Sequence, residues 1–190
     1  MKSVSTALFV LALAVPAAHA QMGGGAPQTI TLAAGLQRSY DGVKRNLTEM
    51  AEKMPEADYG FMITKDVRTF GQLFGHVANS QFNACSAARG VANPNQGNDN
   101  EKKTAKAEVV KALADSFAFC DEAFKMLTDA NATEMVKQGQ NSVARGSILA
   151  GVIGHNNEMY GTAIPYYRMK GLVPPSTERA QQMMRKPGAH

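Results

Sequence analysis

Residues 154–175 read G-H-N-N-E-M-Y-G-T-A-I-P-Y-Y-R-M-K-G-L-V-P-P, and this stretch decides the fold. It has the pattern of the second half of a long helix that ends sharply. Lys170 is a late cation, Gly171 suits the left-handed residue that follows a helix, and the prolines at 174 and 175 prevent continuation.

His155 lies on the apolar face of this predicted helix. By the spacing i, i+3, i+4 and i+7, it shares that face with Ile148, Val152, Met159 and Thr162. We therefore expect the imidazole to point into a core or a pocket. There it is either a hydrogen-bonded core residue or a ligand.

The N-terminus has the pattern of an export signal. Lys2 precedes an apolar run at residues 7–15, and residues 16–20 (P-A-A-H-A) form a small-x-small cleavage pattern. An apolar run of this length is too short to span a bilayer. We therefore predict a signal peptide over residues 1–20 that is cleaved after Ala20. The mature protein would then be periplasmic or secreted. Its first residue, Gln21, is not the cysteine that lipid attachment requires.

Composition excludes some partners. The chain has 190 residues and a formal net charge of +4. Without residues 1–20 it has 19 Lys+Arg against 16 Asp+Glu, which is +3. These cations are dispersed, so nucleic-acid binding is not predicted. No second apolar stretch is long enough for a membrane span, and the remaining length suffices for one domain with a core.

Helical spacing of apolar residues dominates the mature chain. It predicts helices over about residues 32–53, 64–89, 105–128 and 142–170, and no strands. Thr64 and Thr104 are the expected caps of the second and third helices, and Pro165 should kink the fourth. These elements predict an all-α four-helix bundle.

The domain boundaries follow from composition. Residues 21–30 are rich in glycine and form a predicted flexible tether. The bundle domain is expected over residues 31–176. Residues 177–190 are polar and are predicted to form a loose tail.

The two cysteines constrain the order of the helices. Cys85 and Cys120 are 35 residues apart, and an exported chain with one pair favours a disulfide over two buried thiols. In an antiparallel hairpin of helices 2 and 3, their levels would differ by roughly 18 Å at the helical rise. Parallel helices place the cysteines at nearly the same level. The disulfide therefore predicts an up-down-down-up bundle.

Few residues offer chemistry. After removal of the signal peptide the histidines are His76, His155 and His190, the last residue of the sequence. His76 and His155 lie near the middle of helices 2 and 4, and bundles build metal sites from facing helices. Glu158 and Met159 are the nearest candidates for a third group. A catalytic zinc takes three protein ligands, and a thioether suits Cu(I) better than Zn or Ni.

Four segments together resemble a known family, the DinB-like superfamily, over essentially the whole mature chain. They are T-F-G-Q-L-F-G-H-V-A-N-S (69–80), S-F-A-F-C-D (116–121), H-N-N-E-M-Y-G (155–161) and Y-Y-R-M-K-G-L-V-P-P-S (166–176). The resemblance implies an up-down-down-up bundle with helix 2 parallel to helix 3. It also implies a divalent metal, often Zn or Ni, on three histidines, and it allows a homodimer. His76 and His155 match two of these ligand positions, and Met159 stands at the third.

Three interpretations of this site remain open. In the first, His76 and His155 hold a metal for a hydrolase or a thiol-dependent transferase, with Glu158 as a base. In the second, the site is degenerate, and the protein binds a small ligand, a copper ion or a partner. In the third, both histidines are structural. We favour an exported DinB-like protein with a degenerate metal site that binds a small ligand or a metal.

Overall fold

The computed structural model describes residues 29–185. The predicted signal peptide and nearly all of the tether lie outside the described residues, as does His190. The helices are α1 (Leu32–Lys53), α2 (Phe70–Arg89), α3 (Lys106–Lys125), α4 (Arg145–Met169) and α5 (Pro175–Arg185). Two strands, β1 (Met135–Gln138) and β2 (Asn141–Ala144), precede α4, and short 3-10 turns span Glu56–Asp58 and Asn100–Lys102. Within residues 29–185, no helix has the length and hydropathy of a bilayer span.

Helices α2 and α3 run in the same direction. Cys85 and Cys120 form the predicted disulfide, with their Cα atoms 5.3 Å apart. One turn earlier on each helix, the Gln81 amide donates a hydrogen bond to the Ser116 hydroxyl, 3.1 Å away. Because both pairs are separated by four residues in the same sense, the two helices are parallel.

Helix α1 is antiparallel to α3, and α2 is antiparallel to α4. At opposite ends of α1, the Ala33 amide donates to Asp129 at 2.8 Å, and the Met54 carbonyl accepts from Lys106 at 2.8 Å. Between α2 and α4, the Phe70 and Tyr167 rings stack 6.5 Å apart at one end. At the other end, Arg145 donates to the Ala88 carbonyl. The four long helices therefore run up, down, down and up.

Aromatic side chains fill the centre of the bundle. The Tyr40 ring stacks on Phe124 with 3.9 Å between the ring centroids, and its hydroxyl donates to Asp121 at 2.9 Å. Lys44 pairs with the same carboxylate at 2.6 Å. The buried hydroxyl thus has a partner, as a polar group in a core requires. The largest fully buried side chains include Tyr40, Tyr59, Tyr167, Phe70, Phe74 and Phe117.

The prediction of no strands was wrong for the connection between α3 and α4. Strands β1 and β2 form an antiparallel hairpin in which Val136 pairs with Val143 and Gln138 pairs with Asn141. The two-residue turn contains Gly139 at φ +61°, the positive φ that such turns require. Each strand has 4 residues, which is too short to show a clear alternation of apolar and polar side chains. The hairpin packs against one side of α2.

Helix α2 begins later than predicted. It starts at Phe70, and Thr69 rather than Thr64 is its cap. The Thr69 hydroxyl accepts from the Gln72 amide at 3.1 Å, and the Gln72 side chain accepts from the Thr69 amide at 2.9 Å. This reciprocal capping box is stronger than a lone threonine, which explains the shift.

The remaining differences concern helix ends. Ala105 rather than Thr104 precedes α3, without a side-chain cap. Helix α4 starts three residues later than predicted because strand β2 occupies Asn141–Ala144, and it continues through Pro165 to Met169. The predicted tail contains α5, which two ion pairs hold against α1. Glu178 pairs with Lys53 and Arg179 with Glu49, each at 2.6 Å.

Candidate functional site

The two predicted histidines are neighbours. His76 on α2 and His155 on α4 have ring centroids 5.1 Å apart and planes inclined by 54°. Both side chains are half-buried. The Nε2 atom of His155 lies 3.5 Å from the Ser80 hydroxyl, one turn along α2. The antiparallel contact of α2 and α4 thus forms a polar cluster between two largely apolar faces.

A carboxylate that we did not predict completes this cluster. Glu101 lies in the 3-10 turn before α3, and its Oε1 atom is 2.7 Å from Nδ1 of His76. Its Oε2 atom accepts a hydrogen bond from Arg68 at 2.8 Å. Burial acts to raise the pKa of Glu101, but the bonds from Arg68 and His76 hold the pKa below its usual range. The carboxylate therefore orients the His76 ring and leaves its Nε2 side available.

Gly75 sets the position of Glu101. A Cβ atom at this helical position would lie 2.8 Å from the Glu101 amide nitrogen, and closer still to the Asn100 carbonyl oxygen. Only a residue without a side chain allows the 3-10 turn to pack this closely against α2.

We predict that Gly75→Ala lowers the free energy of unfolding by about 1–3 kcal/mol, the usual cost of overpacking against atoms that cannot yield. Urea titration measures this change. Gly42→Ala on α1 is the matched control, since its Cβ would meet nothing within 4 Å and should stabilise the helix. Equal stability of the two variants would show that residues 100–101 do not pack on α2 as described.

The other two predicted site residues differ in their positions. Met159 is buried in the core, one helical turn beyond His155. Glu158 is exposed on α4. Its charge acts to raise the pKa of His155, and its role as a base stays a prediction.

These residues do not fit the three-ligand divalent centre that the family resemblance implied. His76 alone has the arrangement of a metal ligand, because a carboxylate holds its other ring nitrogen. Within residues 29–185, no three His, Cys, Asp or Glu side chains come together as a metal site. Glu101 is bound on the Nδ1 side of His76, and the thioether of Met159 is a poor ligand for Zn or Ni. Among the described residues, this position therefore offers a metal ion two imidazole ligands, those of His76 and His155.

A cavity of about 260 Å³ opens beside His155, between α2, α4 and the hairpin. Its polar lining comes from Ser80, Gln81, Gln138, Ser147, His155 and Asn156. Its apolar lining comes from Ala84, Val143, Ile148 and Val152, with Gly151 between them. A concave, mostly apolar site with a few converging polar groups is the usual form of a small-molecule site.

Three buried amide atoms beside this cavity lack a hydrogen-bond partner. Asn156 is fully buried, and neither its Nδ2 nor its Oδ1 atom has a hydrogen-bond partner. Gln81 is 1% exposed, and its Oε1 atom is also unpartnered. A buried polar atom without a partner typically costs about 1–3 kcal/mol. Each of the three atoms exposes less than 1 Å², so a ligand in the cavity could reach them only after the side chains rearrange.

Gln81 and Asn156 could have been identified from the sequence as buried polar residues, whereas the position of Glu101 could not. Gln81 stands between Ala78 and Cys85 at the spacing of the buried face of α2. Asn156 stands between Val152 and Met159 on the buried face of α4. A polar residue on an otherwise apolar face is the signal for such a position. Glu101 lies in a loop rich in turn residues, where spacing carries no information about tertiary contacts.

His155 should make stability depend on pH. Burial lowers its pKa and His76 lowers it further, Glu158 and the side chain of the neighbouring Asn156 oppose this, and Arg68 adds a smaller lowering. The unfolded chain therefore takes up this proton first, starting near the ordinary histidine pKa of about 6.5, and stability falls as the pH falls below it.

We predict that His155→Asn loses less stability than the native chain between about pH 7 and pH 5, by up to about 1.4 kcal/mol per unit of pKa difference. Urea titrations at several pH values measure the difference. Identical pH profiles for the two proteins would contradict a buried, neutral His155.

Together, the fold and the site define a class of protein: an up-down-down-up helical bundle with a histidine pair between its second and fourth helices. A sequence profile of the DinB superfamily matches residues 39–163. The match covers more than half of the chain, so this chain belongs to the DinB superfamily, and the resemblance noted from the sequence is confirmed.

Solved structures agree on the fold. A DinB-like protein from Bacillus cereus has a TM-score of 0.64 and 17% identity, over 74% of this chain and 94% of that one. A conserved protein from Enterococcus faecalis has a TM-score of 0.59 and 15% identity, over 73% of this chain and 96% of that one. At these identities the likeness concerns the fold alone. No curated protein matches the chain.

Proposed function

We propose that this chain is an exported, small-molecule-binding member of the DinB superfamily. The observation that carries the proposal is the cavity beside His155, a concave and largely apolar site with a few polar side chains such as Ser80 and Gln138. The ligand would pack on the apolar walls and would contact His155 at the edge of the cavity.

The enzyme alternatives receive less support. A metal-dependent hydrolase or thiol-dependent transferase of the DinB type would need a centre that activates water or a thiol, and such centres take three protein ligands. The pair formed by His76 and His155 supplies two. The third candidate, Met159, would favour Cu(I) over Zn or Ni. We therefore assign the histidines to the rim of a ligand site.

Export is part of the proposal and has its own support. Residues 1–20 have the charged, apolar and small-residue pattern of a cleavable signal. The disulfide between Cys85 and Cys120 suits an oxidising compartment. Intact-mass measurement of the native protein should give a chain that begins at Gln21. A chain that retains Met1, or that is recovered from the cytoplasm with free thiols, would contradict export.

Filling the cavity tests the binding function. A side chain at Gly151 would extend into open space within the cavity, because a Cβ there meets nothing within 4 Å. We expect Gly151→Leu to fold and to lose small-molecule binding, as measured by ligand-observed NMR with a library of fragments. Gly154→Leu is the control, since Gly154 has equal space on the same helix but does not line the cavity. Equal binding by both variants, or no fragment bound by the native chain, would refute the proposal.

A further inference from the structure

A groove of about 420 Å³ lies where α1 and α4 meet α5. It has no lining residue in common with the cavity beside His155. Helix α1 contributes Arg38, Gly42 and Arg45 to the groove, and α5 contributes Arg179. The ion pair that joins Arg179 to α1 holds α5 in place, so the order of this short helix creates the groove.

The groove carries an excess of positive charge. Three arginines line it, Arg38, Arg45 and Arg179, and no aspartate or glutamate is among the described residues that line it. Glu49 neutralises Arg179 from the adjoining surface of α1, with the charged atoms 2.6 Å apart. Three cations less one paired carboxylate leave two positive charges, those of Arg38 and Arg45.

No side-chain carboxylate that the structure describes pairs with these two arginines. Neither of them takes part in any of the ion pairs within residues 29–185. The rest of the sequence contains no aspartate or glutamate. Asp41 is their nearest carboxylate along the helix, but it accepts from the Gln37 amide at 2.9 Å and lines a neighbouring depression of α1. An anion from outside the chain could therefore serve both guanidinium groups.

Gly42 keeps the space between the two arginines open. Arg38 precedes it by four residues and Arg45 follows it by three, so the three positions share one face of α1. A Cβ atom at position 42 would meet nothing within 4 Å, so packing does not require a glycine here as it does at Gly75. Glycine destabilises the interior of a helix. The open space over Gly42, with a cation on each side, lets a ligand approach the helix closely.

The charge of the groove favours a ligand with two negative charges. Guanidinium groups present planar forks of N–H donors that match the oxygens of a phosphate group. A phosphate monoester carries a charge of about −1.5 to −2 at pH 7, which balances Arg38 and Arg45 together. A sulfate ester or a carboxylate balances only one of them. The groove has the volume of about fourteen water molecules in the liquid, so the ligand is small.

We propose that this groove binds the phosphate group of a small phosphate monoester between Arg38 and Arg45, over Gly42. Ser39 and Asn157 also line the groove and supply neutral hydrogen-bonding groups beside the arginines. The site is separate from the cavity beside His155. Its failure would therefore leave the proposed small-molecule function untouched.

Two probes of the same shape test the charge of the ligand. Phenyl phosphate and phenyl sulfate are titrated into the mature protein at about pH 8, where the phosphate is a dianion, and binding is followed by NMR. Sodium chloride at about 0.15 M screens unspecific attraction. Phenyl phosphate should bind at least about tenfold more tightly than phenyl sulfate. Equal binding of the two probes, or no binding of phenyl phosphate, would overturn the proposal.

Two variants test the place of binding. Arg38→Gln/Arg45→Gln should lower the affinity for phenyl phosphate at least about tenfold with an unchanged melting temperature, because both side chains are exposed. Lys65→Gln/Lys137→Gln is the matched control, since it removes two exposed charges outside the groove. Gly42→Leu keeps every charge but fills the space between the arginines, and it should lose binding as well. Native affinity in either groove variant would overturn the proposal.

Vesicles distinguish a soluble phosphate ester from a lipid head group of the same chemistry. Sedimentation is measured with phosphatidylcholine vesicles that contain or lack phosphatidic acid, whose head group is a phosphate monoester. Binding that requires phosphatidic acid and that Arg38→Gln/Arg45→Gln loses would support a lipid-borne phosphate. Binding of phenyl phosphate without binding of these vesicles would support a soluble ester.

Discussion

Met159→His should convert the pair of His76 and His155 into a tight site for Zn²⁺ or Ni²⁺. The substitution adds a third imidazole four residues after His155 on α4, on the same helical face. Glu101 already orients His76 through its Nδ1 atom. A centre with three histidines and one open position has the ligand number that zinc requires.

We expect the affinity for zinc to rise by at least about 100-fold. Removing a residue that only hydrogen-bonds to a metal ligand typically lowers metal affinity about 10–100-fold, and a direct ligand should contribute more. Competition with a chromogenic chelator measures the affinity. Asn157→His is the matched control, because position 157 is exposed and lies two residues from His155, on another face of α4. His76→Ala should abolish the gain in the Met159→His background. An unchanged affinity would mean that the side chain at 159 does not face the two histidines.

Loss of the disulfide should cause the largest fall in stability. The Cys85→Ala/Cys120→Ala double variant should unfold with about 3–4 kcal/mol less free energy, because the bridge closes a long loop of the unfolded chain. For a chain of this length the melting temperature should fall by about 10 °C. Both cysteines are fully buried, so part of the effect comes from the space left by two sulfur atoms.

Reduction offers an independent check of the same prediction. Calorimetry with and without reductant should show a lower melting temperature for the reduced native protein and no change for the double variant. An unchanged native melting temperature under reducing conditions that cleave the bridge would contradict its contribution.

The sequence predicted the helical framework well because its signals are local. The stop of α4 depends on Gly171, which has φ +72°, and on the prolines that follow it. The disulfide prediction needed only the compartment and the two cysteines. The pairing of His76 with His155 followed from their positions on antiparallel helices. Each of these inferences uses spacing along one helix or one covalent constraint.

The parts that the sequence did not predict depend on contacts between distant segments. Glu101 reaches His76 because Gly75 allows the 3-10 turn to approach α2, and no pattern within either segment indicates this contact. The hairpin before α4 is too short for a periodic signal, yet Gln138 and Val143 close one side of the cavity. The order of α5 comes from ion pairs with α1, such as that between Arg179 and Glu49.

We infer that the position of the family's metal site borders a small-molecule cavity in this chain and does not form a divalent-metal centre. Elemental analysis of the untagged protein, purified from the compartment to which we propose it is exported, is the first measurement to make. We expect far less than a stoichiometric amount of zinc or nickel, with no change in the His76→Ala/His155→Ala double variant. A stoichiometric amount of either metal that the double variant loses would show that the two histidines hold a metal centre.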